Sequence, residues 1–261
     1  MSYLQAVILG IVQGITEFLP ISSSGHLAVA EKLMTLGISA AAIEAFDVMV
    51  HVATVIAVLI VFRKTIIEAF TTRRRLIALC VIGCIPAGIA GILIKLYGQI
   101  FFDAFKASLM CVGAAFIATG LILLLTRFIG KPARDEETAR WPDALRVGLY
   151  QAAAILPGIS RSGATIGAGL IGGMTREFAA RFSFVTAVPL ILGAAAVDAK
   201  HLIGGAIAPG VLASGFIAAF VSGLAALYAL LAIVRRGRIW LFAIYLIPLG
   251  VGLMAYHFIR G

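Results

Sequence analysis

The stretch LPISSSGH, Leu19–His26, returns later in the chain as LPGISRSG, Leu156–Gly163. Both carry Leu-Pro and an Ile-Ser-x-Ser-Gly core, the second with an arginine at its centre. Each interrupts apolar sequence, so the fold turns on which solvent the chain meets. Of 261 residues, 62% are hydrophobic and 13% charged, against about 45–50% and about 25% in an average soluble domain. One core cannot hide that much apolar surface, and lipid is the solvent that suits it.

Six apolar segments are long enough, or nearly so, to cross about 30 Å of hydrocarbon: Asp47–Phe62, Leu76–Leu96, Ala107–Thr126, Phe182–Ala199, Pro209–Val234 and Ile239–Phe258. The first is short and is expected to tilt or to extend back towards Ala42. Two more apolar stretches, about Tyr3–His26 and Leu145–Met174, are each split by one of the polar repeats. Neither half of such a stretch crosses alone. Each is therefore predicted to form a re-entrant hairpin, whose irregular turn is tolerated at membrane depth only when protein buries it or it lines a watery cavity. The fold class expected is an all-α polytopic membrane protein, six transmembrane helices plus two re-entrant helical hairpins.

Ser22 and Ser160 lie 138 positions apart, and three spans follow each hairpin. The echo continues loosely from VHVATVIAVLIVF to FSFVTAVPLILGA. An odd number of spans per unit sends consecutive units into the membrane from opposite sides, which predicts an inverted-topology repeat. Its parts are repeat 1 at 1–126, a cytoplasmic loop at 127–144 and repeat 2 at 145–261, all in one integral domain.

Charge bears on the orientation. The formal net charge of +9 sits in short clusters between apolar blocks, not on a basic face with interleaved aromatics, so nucleic acid is not an expected partner. Placing 63–75, 127–146, 176–181 and 235–238 in the cytoplasm gives that side 15 of the 21 Lys and Arg residues. Lys32, Lys95, Lys106, Lys200 and Arg260 remain outside, and Arg161 sits within the second polar turn. The bias follows the positive-inside rule and puts both termini outside. The two hairpin tips then meet near mid-membrane. The N-terminal segment lacks a basic n-region and a small-x-small cleavage site, so it reads as part of the fold and not as a signal peptide. Cys80, Cys84 and Cys111 read as small buried hydrophobes, since no His or further Cys accompanies them.

The chemistry concentrates in the two turns. Gln13 and Glu17 are four apart and share a helix face. Pro20 ends that half-helix, Ser22, Ser23 and Ser24 form the turn, and Gly25 is expected to allow a positive φ or a close backbone approach. His26 falls in the first turn of the returning half-helix. In the second hairpin Gly158 precedes a turn of Ser160, Arg161 and Ser162, with Thr165 just beyond. Two helix N-termini then face each other, each with free N–H groups and a partial positive charge that favour an anion. Arg161 adds a planar donor fork suited to phosphate. A guanidinium at membrane depth costs about 2.5–3.5 kcal/mol on insertion scales, so a negative partner is expected: Glu17, a bound phosphate, or both. His26 beside a hydroxyl suggests base-assisted attack or water activation. Glu17 with Gln13 suits a hard divalent cation held against phosphate oxygens. From the residues alone the reading is hydrolysis or transport of a phosphorylated, lipidic molecule within the membrane.

QGITEFLPISSSGH, Gln13–His26, and PGISRSGAT, Pro157–Thr165, resemble the two signatures of the undecaprenyl-diphosphatase (bacitracin-resistance) family of bacterial membrane enzymes. The resemblance covers essentially the whole chain, including EFAARFSFVTAVPLILGA at Glu177–Ala195. It implies removal of the terminal phosphate from undecaprenyl diphosphate, regenerating the lipid carrier for cell-wall polymers. It also implies a multi-pass protein of the bacterial cytoplasmic (inner) membrane, with a site open to the outer leaflet. Carried over by position, Glu17, Ser23, His26, Ser160, Arg161, Ser162 and Thr165 match the family's functional residues. Gln13 stands where many members have glutamate, which halves the carboxylate charge available to a cation.

The expected catalytic set is Glu17, Ser23, His26 and Arg161. Substrate binding is expected from Arg161, Ser22, Ser24, Gly25, Gly158, Ser160, Ser162 and Thr165. A divalent cation, Mg²⁺ or Ca²⁺, is expected on Glu17 and Gln13. Expected partners are the polyprenyl diphosphate and membrane lipids, with a homodimer as the one protein partner considered. The competing reading is a transporter or flippase of a phosphorylated lipid, since inverted repeats with broken helices are common among secondary transporters. A membrane scaffold would have no use for Arg161 and Glu17 at that depth. Asp47 and His51 read equally as cavity-facing or as an interfacial helix start. Asp198, Lys200 and His201 read as a helix end, and RDEETAR at 134–140 as a solvated loop.

Overall fold

Caps, glycines and prolines divide the chain into helices. A computed structural model describes residues 1–34, 36–130, 133–198 and 207–260, and among these it contains helices and no strand. Ser2 caps α1 (Tyr3–Phe18) through a capping box with Gln5, satisfying two of the backbone donors orphaned at a helix start. Leu19 turns extended immediately before Pro20, as a pre-proline residue must, and α2 (Ser23–Met34) returns from the turn. Then come α3 (Ala40–Val61), a short surface helix α4 (Arg63–Thr71) and α5 (Arg74–Leu93). A π-helical turn at Ile94–Gly98 leads from α5 into α6 (Gln99–Ala107), and α7 (Leu109–Leu125) follows a Ser108 cap. The second half repeats the plan with α8 (Trp141–Ala153), α9 (Arg161–Ile171), α10 (Arg176–Asp198), α11 (Pro209–Arg235) and α12 (Ala243–Arg260).

Among the described residues, six helical segments are long and apolar enough to cross a membrane: Ala40–Val61, Arg74–Ala107, Leu109–Phe128, Arg176–Val197, Pro209–Arg235 and Ile239–Ile259. Three boundaries differ from the sequence reading. The first span begins at Ala40, where Ser39 accepts from the Ala42 N–H. The second runs on past Leu96, because the π turn absorbs Gly98 without ending the helix. The fourth begins at Arg176, several residues before Phe182, with Thr175 receiving the Phe178 and Ala179 amides.

The halves exchange partners. α1 packs on α11 and α8 on α5, while α3 packs on α10 and α7 on α12. Small residues make these contacts possible. A Cβ on Gly14 would collide with the Ala219 carbonyl and the Ser222 hydroxyl, and one on Gly148 would stand 2.6 Å from the Gly83 carbonyl. Gly113 and Gly250 are reciprocally pressed, a Cβ on the first lying 2.7 Å from the carbonyl of the second. Lipid gives no hydrophobic reward for pairing helices, so such close backbone approach supplies the van der Waals contact that does.

The four cation-rich segments meet at one end of the bundle. Glu136 pairs with Arg73 at 3.2 Å and Arg181 at 3.0 Å. Buried Asp143 pairs with Arg134 at 2.5 Å and Arg146 at 3.3 Å, and accepts from the Arg140 amide that starts α8. Arg75 donates to the carbonyls of Glu137 and Ala139, and Arg235 reaches Glu177 at 3.1 Å. The segment 134–140 is therefore docked, not simply solvated: its carboxylates and carbonyls tie neighbouring arginines together. Cys80, Cys84 and Cys111 are free thiols, and Cys84 donates weakly to the Thr186 carbonyl at 3.4 Å. Lys200 and His201 lie outside the described residues, as does the side chain of Asp198.

Candidate active site

The first polar turn owes its shape to Ser22. It has φ +72°, the one non-glycine positive φ among the described residues, a conformation that costs an L-residue free energy unless its surroundings enforce it. Its carbonyl receives His26 Nδ1–H at 2.8 Å and its hydroxyl faces the Gly25 amide at 3.4 Å. Gly25 was expected to allow a positive φ or a close backbone approach, and it is the close approach that the structure shows. Gly25 is helical, and its lack of a side chain leaves room for Phe116, whose ring a Cβ would meet at 2.6 Å. In the second turn Gly158 takes φ +95° and lies against α7, where a Cβ would meet Ala115 and the Val112 carbonyl at 2.8 Å. A Cβ on Gly25 would also lie 3.3 Å from Gly158 Cα, so the two turns touch.

Glu17 is the centre of the contact. Its Oε1 accepts from Arg161 Nη2 at 2.8 Å, and its Oε2 accepts from Ser23 Oγ at 2.6 Å and Gln13 Nε2 at 3.1 Å. His51 Nε2 stands 3.8 Å from the same Oε2. Arg161 lies 5.9 Å over the Phe184 ring, which packs against Phe18 and Phe62. This low-dielectric wall strengthens the ion pair and makes any unpartnered group costly. Two such groups are present: Gln13 Oε1 and Arg161 Nη1 are buried with no hydrogen-bond partner. One is an acceptor awaiting positive charge, the other a donor awaiting an anion.

The expected residues divide by what they touch. Gln13, Glu17, Ser23 and Arg161 form one bonded cluster. His26 does not bond Ser23 or Glu17. A carbonyl accepts only, so His26 Nδ1 carries hydrogen toward Ser22, and neutral Nε2 accepts from Tyr245 Oη at 2.7 Å. Its ring also stacks with Tyr245 at 5.8 Å and lies 5.3 Å from Phe116.

Ser24 meets Ser22 Oγ at 3.4 Å. Ser160 caps α9 through the Gly163 amide at 3.2 Å, and Ser162 reaches the Leu19 carbonyl at 3.3 Å, bracing one turn on the other. Thr165 donates or accepts within the fold, 2.7 Å from the Arg161 carbonyl and 2.5 Å from Ser183 Oγ. Among the described residues no three His, Cys, Asp or Glu side chains converge as a metal site.

His51, Tyr245 and Phe184 entered the site without a firm sequence signal. His51 sits in the apolar run VMVHVATV, where an ionisable residue within a span is a functional hypothesis by default. Tyr245, in FAIYLIP, reads as an ordinary interfacial tyrosine.

The family model for "Bacitracin resistance protein BacA" matches residues 6–252. The chain belongs to this family. It is similar to the undecaprenyl-diphosphatase of Carboxydothermus hydrogenoformans, 40% identical over 262 residues and 97% of each chain. It is also similar to those of Syntrophotalea carbinolica, 40% identical over 256 residues (94% of this chain, 95% of the relative), and Bacteroides fragilis strain ATCC 25285, 40% over 264 residues (96% and 97%). In this member of the BacA family the two polar turns meet at the Glu17–Arg161 pair.

Proposed function

We propose that this chain hydrolyses undecaprenyl diphosphate to undecaprenyl phosphate and inorganic phosphate, from a site open to the outer leaflet of the bacterial cytoplasmic membrane. The family membership and the names of its relatives support the reaction. The observation that carries the site is Arg161, a half-buried side chain with one arm on Glu17 and the other, the buried Nη1, unpartnered. A diphosphate oxygen supplies the missing acceptor, and the N–H groups opening α2 and α9 add donors of the same sign.

Ser23 is the nucleophile in this reading, with Glu17 as its base, because the 2.6 Å hydrogen bond from Ser23 Oγ ends on Glu17 Oε2. Ser23 Oγ bonds to the terminal phosphorus as the bridging P–O bond breaks, its proton passes to Glu17, and undecaprenyl phosphate leaves. Water then attacks the phosphoserine and the P–O bond to Ser23 breaks; Glu17 returns its proton to the serine oxygen and takes one from the water, the other staying on the inorganic phosphate, and Glu17 then loses that proton to solvent. Arg161 stabilises charge on the non-bridging oxygens throughout. His26, with both ring nitrogens engaged by Ser22 and Tyr245, braces the turn that carries Ser23. Ser160, Ser162 and Thr165 keep the α9 N-terminus aimed and act chiefly through it.

A divalent cation fits the acceptor side of the cluster: Glu17 and the orphan oxygen of Gln13 would hold it. When bound it neutralises phosphate charge and polarises the phosphorus. The re-entrant, inverted arrangement of the hairpins and an outward-facing site accord with the collection of the cation-rich segments at one end of the bundle.

The test is phosphate release from polyprenyl diphosphate by detergent-solubilised protein. Arg161→Ala and Ser23→Ala, both folded, are expected to lose at least about 10³-fold in kcat/KM. Near-native rates in either would sink the assignment. Movement of the lipid across vesicles without phosphate release would favour a flippase instead.

A further inference from the structure

We infer that His51 is a nitrogen ligand of the divalent cation assigned above to Glu17 and Gln13, and that this chain's site therefore prefers an ion such as Mn²⁺ to Ca²⁺. The inference rests on that cation reading and extends it to a residue and an ion class. It begins with a tautomer. His51 Nδ1 lies 2.7 Å from the Asp47 carbonyl oxygen. A carbonyl only accepts, so Nδ1 carries the hydrogen, and whenever the ring is neutral Nε2 presents a bare lone pair. That lone pair stands 3.8 Å from Glu17 Oε2. In that form two acceptors confront each other at a separation too long for a hydrogen bond.

The 3.8 Å gap is spanned by one ion with each ligand about 2.0–2.2 Å away. The bond from Nδ1–H to a carbonyl is the arrangement that fixes ring and tautomer in metal-bound histidines. The third participant is Gln13, fully buried, whose N–H touches Glu17 while Oε1 has no partner. A half-turn of the carboxamide exchanges its N–H for that oxygen at the ion.

One carboxylate, one amide oxygen and one imidazole make a mixed N/O set with a single formal negative charge. Hard Ca²⁺ needs six to eight oxygens and gains little from imidazole. Imidazole suits the later first-row ions best, and Mn²⁺, at the foot of that series, shares carboxylate and carbonyl ligands with Ca²⁺ while accepting imidazole more readily. With an amide at Gln13 the site offers a single carboxylate, which weakens the claim of Ca²⁺, and His51 supplies the nitrogen that suits the other class.

The experiment is Mn²⁺ binding to detergent-purified protein carrying no histidine tag, followed by electron paramagnetic resonance with electron spin echo envelope modulation. The wild-type protein is expected to bind one Mn²⁺ with ¹⁴N modulation from a coordinated imidazole. His51→Leu is expected to lose that modulation and bind Mn²⁺ at least about 10-fold more weakly, the loss common when even an outer partner of a metal ligand is removed. His26→Leu is expected to keep it. His51→Gln, which preserves polarity, serves if the leucine variant does not fold. Mn²⁺ bound without nitrogen modulation, or modulation lost in His26→Leu and kept in His51→Leu, overturns the role of His51 and leaves the cation. Absence of Mn²⁺ binding by the wild-type protein overturns the cation reading itself.

Discussion

At the residue scale the site is a contest for one carboxylate. Glu17 takes hydrogen bonds from Arg161, Ser23 and Gln13, so its charge is divided among a positioning ion pair, a nucleophile and an amide. Replacing it with glutamine keeps the shape and removes the base. We expect Glu17→Gln to fold and to lose the rate of phosphate release with little change in KM, because binding lies with Arg161 and the helix N-termini. A selective rise in KM would move Glu17 from proton transfer to binding.

Tyr245 is a positioning residue: its hydroxyl holds His26 Nε2 at 2.7 Å. Tyr245→Phe keeps the ring stack and removes the hydrogen bond, for which a loss of about 1 kcal/mol, roughly 5-fold in kcat/KM, is expected. Unchanged kinetics would leave His26 held by Ser22 and Phe116 alone. Ser22, at φ +72°, gives a stability prediction. Ser22→Val should lower the detergent melting temperature by an amount matching about 1–3 kcal/mol, whereas Ser22→Gly removes the strain and the cap together and should change it little.

At the element scale, what the sequence made legible was periodicity and interruption. LPISSSGH and LPGISRSG located both turns, and the spacing of Gln13 and Glu17 put them on one face, where they bond. Distances between elements were not legible. His51 lies on α3 and Tyr245 on α12, and nothing local in either segment says that one approaches Glu17 and the other His26. The hydroxyls of Ser160, Ser162 and Thr165 sit in a motif that promises ligand contact, and Leu19 at the end of α1 and neighbours on α9 and α10 engage them within the fold. Small residues were legible as a class but not as pairs. Gly14 against Ala219 and Ser222 is the clearest such pair. Gly14→Val should cost about 1–3 kcal/mol through overpacking, read as a lower melting temperature, while valine at Gly88, where a side chain would meet open space, should not.

For the whole molecule, the cation-rich end is a tied structure and not a set of free loops. Asp143 is almost fully buried beneath Arg134 and Arg146, whose own side chains are 51% and 39% exposed. Removing the carboxylate leaves arginines that can turn to water. Asp143→Ala should therefore cost about 1–3 kcal/mol, the loss of hydrogen bonds to a charged group, and not the 3–5 kcal/mol of a stranded buried charge. Thermal unfolding followed by the fluorescence of Trp141 and Trp240 measures the difference.

The exchange of partners between halves also has a consequence in time. α1 leaves the ribosome well before α11, yet the groove that receives Gly10 and Gly14 belongs to α11, whose Pro209 follows Phe18 by 191 positions. At about 5–20 residues per second, translation takes roughly 10–40 s to deliver it. Through that interval the nascent hairpin must shelter Gln13 and Glu17 with the insertion machinery or with water at the lipid surface. Assembly is thus bound to be post-insertional: a chain stopped before α11 has made most of its helices and none of the groove that seats its first one.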